Sequence, residues 1–284
     1  MVPDPCYASY LQFIQCSGGK AYSMPMTEDN DYKPNLEEIY LQMLNDGYKA
    51  ENLKAIIVNF PNNPLGVMTT REYMQSCIDF CKKHEILLIS DAAYCDMYYG
   101  EGVEKPFSVF ELEGAKEVAV EFFSFSKPYA VTGWRLGWIC GNKEVIQRFG
   151  KGKSTIDNGI FKALQKACAE ILNSPEGDKY IEEANKGYER KQAIMVKGFK
   201  ELGWPISDKT IPHTTFYLWL PIPKRYSSSF DFCEDVLKKS GVVLVPGNAY
   251  GEHGEGYFRI SFVCSDEQLQ EVIDRLKADG FTYN

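Results

Sequence analysis

The 284-residue chain is poor in metal ligands: it holds three histidines, and its nine cysteines include no Cys-x-x-Cys pair. Cys77 and Cys81 lie one helical turn apart, but no histidine at ligand spacing accompanies them, so no metal site is expected. Positive charge is also in deficit. Thirty-one Lys and Arg against 39 Asp and Glu give a formal net charge of −8, which argues against a nucleic-acid or anionic-membrane partner. No apolar run approaches the ~20 residues that span a bilayer. The opening Met1-Val-Pro-Asp-Pro5 carries no basic and apolar leader, so no signal peptide is expected. These absences leave a reduced, cytoplasmic enzyme as the expectation. At 44% hydrophobic and 14% aromatic, the chain can bury one large domain and a small one.

Against that background one stretch stands out, Ser124-Phe-Ser-Lys-Pro-Tyr-Ala-Val-Thr-Gly-Trp-Arg-Leu-Gly-Trp138. Residues 118–123 form an apolar run that predicts a buried strand. Ser, Lys and Pro end it, and a Gly-rich turn leads to a second apolar strand at residues 137–140. A lysine at the mouth of a buried strand is desolvated, which lowers its pKa and leaves more neutral amine. A lysine that condenses with an aldehyde needs that property. Eight residues on, Arg135 offers a planar fork suited to phosphate. Taken singly, each is an ordinary surface cation.

Two further strands end in polar punctuation. Residues 53–60 are a β-branched run ending in Pro61-Asn-Asn-Pro-Leu-Gly66, which turns the chain and exposes an amide side chain, Asn63. Residues 86–91 form another buried strand ending in Asp91, followed by Ala92-Ala-Tyr94. A buried carboxylate is costly without a cationic or hydrogen-bonding partner; as a lone residue Asp91 would be a helix cap. Open α/β sheets bind ligands at the C-terminal ends of their strands. The spacing of units over residues 53–141 predicts a parallel sheet with crossover helices. Thr69 or Thr70 caps one of these, with Tyr73, Cys77, Phe80 and Cys81 inward.

Together these strings resemble the class I/II aminotransferases, the PLP (pyridoxal 5′-phosphate) enzymes of fold type I, and within them the LL-diaminopimelate aminotransferases. The resemblance implies an α/β fold, a mostly parallel sheet with flanking helices, and a small C-terminal α+β domain. It implies that Lys127 carries PLP and that Ser124 and Arg135 bind its phosphate. Asp91 would hold the pyridine nitrogen protonated, and Asn63 and Tyr94 would bond the 3′-oxygen. Leu65 stands where the family usually has Thr. Arg259, in Tyr257-Phe-Arg-Ile-Ser-Phe262, matches the arginine that grips the substrate α-carboxylate, with Asn63 beside the substrate; alone, it would be half of a salt bridge. Tyr7, in Pro3-Asp-Pro-Cys-Tyr-Ala-Ser-Tyr10, matches an aromatic ring stacked on the pyridine or is a packing tyrosine.

The implied partners are an amino acid, a 2-oxo acid and a second subunit, as a homodimer. The resemblance spans nearly the whole chain, yet the strand, Gly-Ser-x-x-Ala phosphate loop and helix that precede the Pro-x-Pro-x-Tyr segment in the family have no counterpart. The expectations that follow are an internal origin for Met1, an exposed sheet edge, and weak PLP binding for want of the loop's N–H donors. A truncated, weakly active or inactive fragment and a PLP-dependent C–S lyase are the alternatives. Gly152-Lys-Ser154 is no phosphate loop, because position 147 is Gln where a glycine is needed and no strand feeds it. Residues 160–172 predict a helix with Leu164, Ala167, Cys168 and Ile171 inward. Residues 176–202 predict one long helix, with Pro175 near its start and Gly203 at its stop. The division expected is 1–174, binding PLP, and 175–284, the linking helix and small domain.

Overall fold

The computed structural model describes residues 1–207 and 210–284. In chain order it places β1 (Val2–Asp4), α1 (Ser9–Cys16), β2 (Ser23–Pro25), α2 (Leu36–Asn45), β3 (Ala55–Asn59), α3 (Arg71–His84), β4 (Leu87–Asp91), α4 (Ala115–Val118), β5 (Ala119–Ser124) and β6 (Gly137–Gly141). There follow α5 (Lys143–Ile156), α6 (Lys162–Leu172), α7 (Pro175–Glu201), β7 (Tyr217–Pro221), α8 (Ser229–Ser240), β8 (Val245–Pro246), β9 (Tyr257–Ser261) and α9 (Asp266–Ala278).

β3, β4 and β5 run parallel, in register from Asn59 opposite Asp91 to Asp91 opposite Phe122. β6 returns antiparallel, Phe122 opposite Ile139. One antiparallel strand beside three parallel ones accords with the mostly parallel sheet expected, and the Gly-rich connection from β5 to β6 carries no crossover α-helix. β1 and β2 pair with each other, and Met1 bonds Ala55 O through its amine at 2.7 Å and Ile57 N through its carbonyl at 3.0 Å. These bonds lay β1 along the free side of β3.

Helix starts follow local chemistry. Asn35 accepts from the amides of Glu37 and Glu38, Thr70 from that of Tyr73, and Ser174 from that of Gly177 with Pro175 next. Each satisfies N–H groups that a first helical turn leaves unpaired. α3 packs Met74, Cys77, Ile78, Phe80 and Cys81 into a core with Ile56, Val58, Leu88 and Ala119; Tyr73, expected inward, is only half-buried. A second core joins Met195 and Phe199 of α7, Phe258 of β9 and Ile273 of α9, and takes in Tyr94, Met97 and Tyr99. Gly198 permits the α7–α9 approach, since a Cβ there would lie 2.4 Å from Ile273 Cγ1.

The antiparallel sheet β7-β9-β8 abuts the C-terminal ends of the parallel strands. Thr214 Oγ1 donates to Gly66 O at 2.7 Å, and Tyr99 OH to Thr214 O and Thr215 O at 3.2 and 3.0 Å. α6 is covered less fully than expected: Cys168 is buried, Leu164 and Ile171 are half-buried, with Ile171 packed against the cluster of Phe125 and Leu136, and Ala167 is exposed.

Candidate active site

The register that sets Asn59, Asp91 and Phe122 abreast brings the polar ends of three strands together at one edge, where parallel α/β sheets bind ligands. Asp91 closes β4. Its Oδ1 accepts from Ala93 N at 3.1 Å, and its Oδ2 accepts from the hydroxyl of Tyr10. Burial nevertheless pushes the Asp91 carboxyl above its ordinary range, against the lowering effect of those two bonds. A carboxylate so enclosed is stabilised most by a partner that carries a proton or positive charge.

Asn63 is buried in the turn after β3, held by Asn59: the Asn63 amide donates to Asn59 Oδ1 at 3.0 Å, and Asn59 Nδ2 donates to Asp91 O at 2.9 Å. Arg259 reaches across from β9, and its Nη1 donates to Asn63 Oδ1 at 2.7 Å. The guanidinium stacks over Tyr217, 4.0 Å from the ring centroid, with Tyr250 at 5.0 Å. Its Nε is buried without a partner. The alternative for Arg259, a salt bridge to a local carboxylate, is absent among the described residues, and a buried donor left open is expensive. Tyr94, buried, shares a hydrogen bond of 3.0 Å with Tyr217 OH; burial and then the Tyr217 hydroxyl hold its phenol well above the usual range.

Lys127 follows β5, half-buried, with Nζ 5.8 Å from the Phe216 ring centroid. Burial, then the cations of Arg259 and Arg135, lower its pKa. Ser124 and Arg135 are less committed to a common centre. Ser124 Oγ accepts from Ser126 N at 3.1 Å. Arg135 is exposed and donates from Nη1 to Thr132 O at 2.7 Å. Gly137, at the end of the Gly-x-Arg-x-Gly string, is required by space: a Cβ would sit 2.4 Å from Phe123 O. Tyr7 lies edge-on to Tyr10, centroids 5.7 Å apart, with 45% of its surface exposed.

Sequence reasoning missed Tyr10, Phe216, Tyr217 and Tyr250. Tyr10 had a signal, since it ends the same Pro-x-Pro-x-Tyr-x-x-Tyr string as Tyr7. The other three read as strand or loop aromatics until the folded chain sets them around Arg259 and Lys127. The Gly152-Lys-Ser154 string lies within α5.

Comparisons with known proteins agree on one family. Its sequence model, aminotransferase class I and II, matches residues 1–276. The chain is 40% identical to LL-diaminopimelate aminotransferase of Moorella thermoacetica over 277 residues, covering 98% of this chain and 67% of that one. It is 38% identical over 283 residues to the Gloeobacter violaceus enzyme of the same name, covering 100% and 69%. Among solved structures, apo BacF of Bacillus subtilis superposes with a TM-score of 0.91 at 32% identity, covering 100% of this chain and 69% of that one. The aromatic aminotransferase of Pyrococcus horikoshii gives 0.87 at 31%, covering 98% and 71%. The Moorella, Gloeobacter and Pyrococcus relatives are named aminotransferases, which favours transamination over the lyase alternative. Sequence and fold thus lead to one conclusion: the chain belongs to the class I and II aminotransferases, PLP-dependent enzymes of the α/β fold type I.

Proposed function

We propose that this enzyme moves an amino group between LL-diaminopimelate and 2-oxoglutarate, with aspartate or aromatic amino acids the next candidates, at the strand-end cluster of Lys127, Asp91, Tyr94, Asn63 and Arg259. The observation that carries this reading is the meeting of three unusual groups. They are an enclosed carboxyl pushed upward (Asp91), an amine made less basic (Lys127), and an arginine with a buried, unpartnered N–H (Arg259).

These residues fit pyridoxal 5′-phosphate. When bound, it supplies an electrophilic aldehyde and a ring that takes up the electron pair released at the substrate Cα. Asp91 would pair with the ring nitrogen and keep it protonated, while Tyr10 and Ala93 N hold the carboxylate in place. Asn63 and Tyr94 donate to the ring's 3′-oxygen. Lys127 would hold the aldehyde carbon, and its free amine would take the proton from substrate Cα as general base and return it as acid. Its lowered pKa raises the fraction of neutral amine available for that step.

Arg259 binds the substrate α-carboxylate through its open Nε face, and Nη1 ties the grip to Asn63. Ser124 and Arg135 hold the phosphate, and Tyr7 covers the ring. Residues 1–174 bind the cofactor and 175–284 bring Arg259 to it. By likeness to the family, the working unit is a homodimer and the compartment the cytoplasm.

The test is direct. Protein given PLP develops a visible absorbance band, borohydride fixes the label to Lys127, and keto acid forms from a panel of amino donors that includes LL-diaminopimelate. Labelling at another lysine rejects the site; turnover of the other donors but not of LL-diaminopimelate rejects the substrate.

A further inference from the structure

β1 ends in a buried aspartate whose partners come from the far end of the chain. Asp4 Oδ1 accepts from the His253 backbone N at 3.2 Å, across 249 residues of sequence. Asp4 Oδ2 accepts from His253 Nδ1 at 2.9 Å and from Ser23 Oγ at 2.9 Å. A carboxylate only accepts, so the imidazole hydrogen lies on Nδ1. Two residues on, Cys6 N donates to Tyr250 O at 2.8 Å. Ser23 donates to the carboxylate rather than to the imidazole, which is not the order of a nucleophilic triad. The trio therefore joins segments and does not activate the hydroxyl.

The segment it grips is residues 247–254, two short turns closed on each other. A Cβ on Gly247 would lie 1.9 Å from Gly254 O, and one on Gly251, at φ +134°, would lie 2.0 Å from Asp4 Oδ1. Glycine at 251 thus lets the loop wrap the carboxylate. The loop leaves β8 beside Arg259, since Val245 lies opposite Arg259 in the sheet. It carries Tyr250, which is buried, edge-on to Trp219 with ring centroids 5.8 Å apart, and 5.0 Å from the Arg259 guanidinium. On the other side of the joint, β1 runs on into Tyr7 and Tyr10.

We propose that Asp4 and His253 are positioning residues: their clasp fixes the 247–254 loop on the end of β1 and so holds the Tyr250 ring against Arg259. The inference rests on the reading of Arg259 as the grip on the substrate α-carboxylate. With Nε open, the guanidinium keeps its direction through Asn63 and the rings of Tyr217 and Tyr250. A ring fixed in advance removes side-chain freedom that substrate binding would otherwise have to order.

The experiment compares His253→Ala, His253→Asn and Asp4→Asn in the PLP-loaded protein. Asparagine at 253 keeps a side-chain N–H donor close to the place of Nδ1. Amide exchange at Cys6, bonded to Tyr250 O, speeds at least ~10-fold in His253→Ala while the α3 and α9 amides stay protected. KM for the best amino donor of the panel rises about 2–10-fold, the cost of ordering one long side chain, with kcat held within about two-fold. His253→Asn returns both readings toward those of the parent. Asp4→Asn raises KM alike, and combining it with His253→Ala adds little, as for two residues of one joint. A parent protein that turns over no donor fails the reading of Arg259, and the proposal with it. A parent that turns over donors, while His253→Ala leaves KM unchanged, fails the clasp alone. Equal loss in His253→Ala and His253→Asn, or additive effects of the Asp4 and His253 changes, also overturns it.

Discussion

The two flanks of the parallel sheet are built from equally amphipathic helices and reach opposite ends. α3 buries five side chains against β3 and β4; α5 buries none and α6 one. The site divides the same way. Asn63, Asp91 and Tyr94 lie on the closed side with their hydrogen bonds made. Ser124 and Arg135 lie toward the open side, where Arg135 is exposed and one of its N–H groups is spent on Thr132 O. A 3.6-residue apolar period says that a helix face is to be covered; it does not say what covers it. The half of the site proposed to bind the ring is thus organised within this chain, and the half proposed to bind the phosphate is the looser one.

The largest test of this contrast is stability. Ile78→Ala on the closed flank should cost ~2–5 kcal/mol by urea denaturation, because it opens a cavity in a filled core. Phe149→Ala on the open flank should cost under about 0.5 kcal/mol, as surface changes do. Equal losses would mean that the α5 face is packed in solution.

Next comes catalysis. Asp91→Ala should lower turnover ~10²–10³-fold, the scale for removing one preorganised electrostatic partner. Arg135→Ala on the open side should cost only a few-fold in PLP affinity, read by absorbance titration. A reversal of that order would place the stronger grip on the phosphate.

Arg259→Leu should weaken amino-acid binding by about 1.5–3 kcal/mol, one charge-assisted bond, and should also act on Lys127. Burial lowers the lysine pKa first, and the Arg259 cation lowers it further. Removing that cation raises the pKa, so the neutral amine appears only at higher pH, and the rising limb of the PLP-capture rate moves upward in pH. Arg135→Leu should move it less. A limb that stays in place in Arg259→Leu would show that burial alone sets the amine.

The smallest effect is expected at Tyr10. Its hydroxyl lowers the Asp91 pKa against the upward push of burial. Tyr10→Phe removes that bond, the carboxyl rises further, and protonated Asp91 persists to higher pH. The acid-side loss of turnover should therefore begin at higher pH, with a change of a few-fold near neutrality. An unmoved pH profile would show that the phenol does not support the carboxylate.

Much of the candidate site's side-chain cluster was legible before folding. Lys127, Asp91, Asn63 and Arg259 each sit where an apolar run meets a turn or an aromatic strand, and such patterns are local in sequence. Phe216, Tyr217 and Tyr250 were illegible because one aromatic in an apolar run looks like any other until its neighbour across the sheets is known. The exposure of Ala167 on the α6 face was illegible for the same reason: periodicity records a face and not its partner.

By itself the sequence determined the strands, the turns that end them and the chemical groups those turns display, since these depend on residues a few positions apart. Only the tertiary structure decided that the Tyr10 hydroxyl, 81 residues from Asp91, rests on its carboxylate, and that Arg259 spans 196 residues to reach Asn63. It also decided that the far edge of β6 pairs with no strand among the described residues. Contacts of that range follow from how whole elements pack, and no local period or turn signal encodes them.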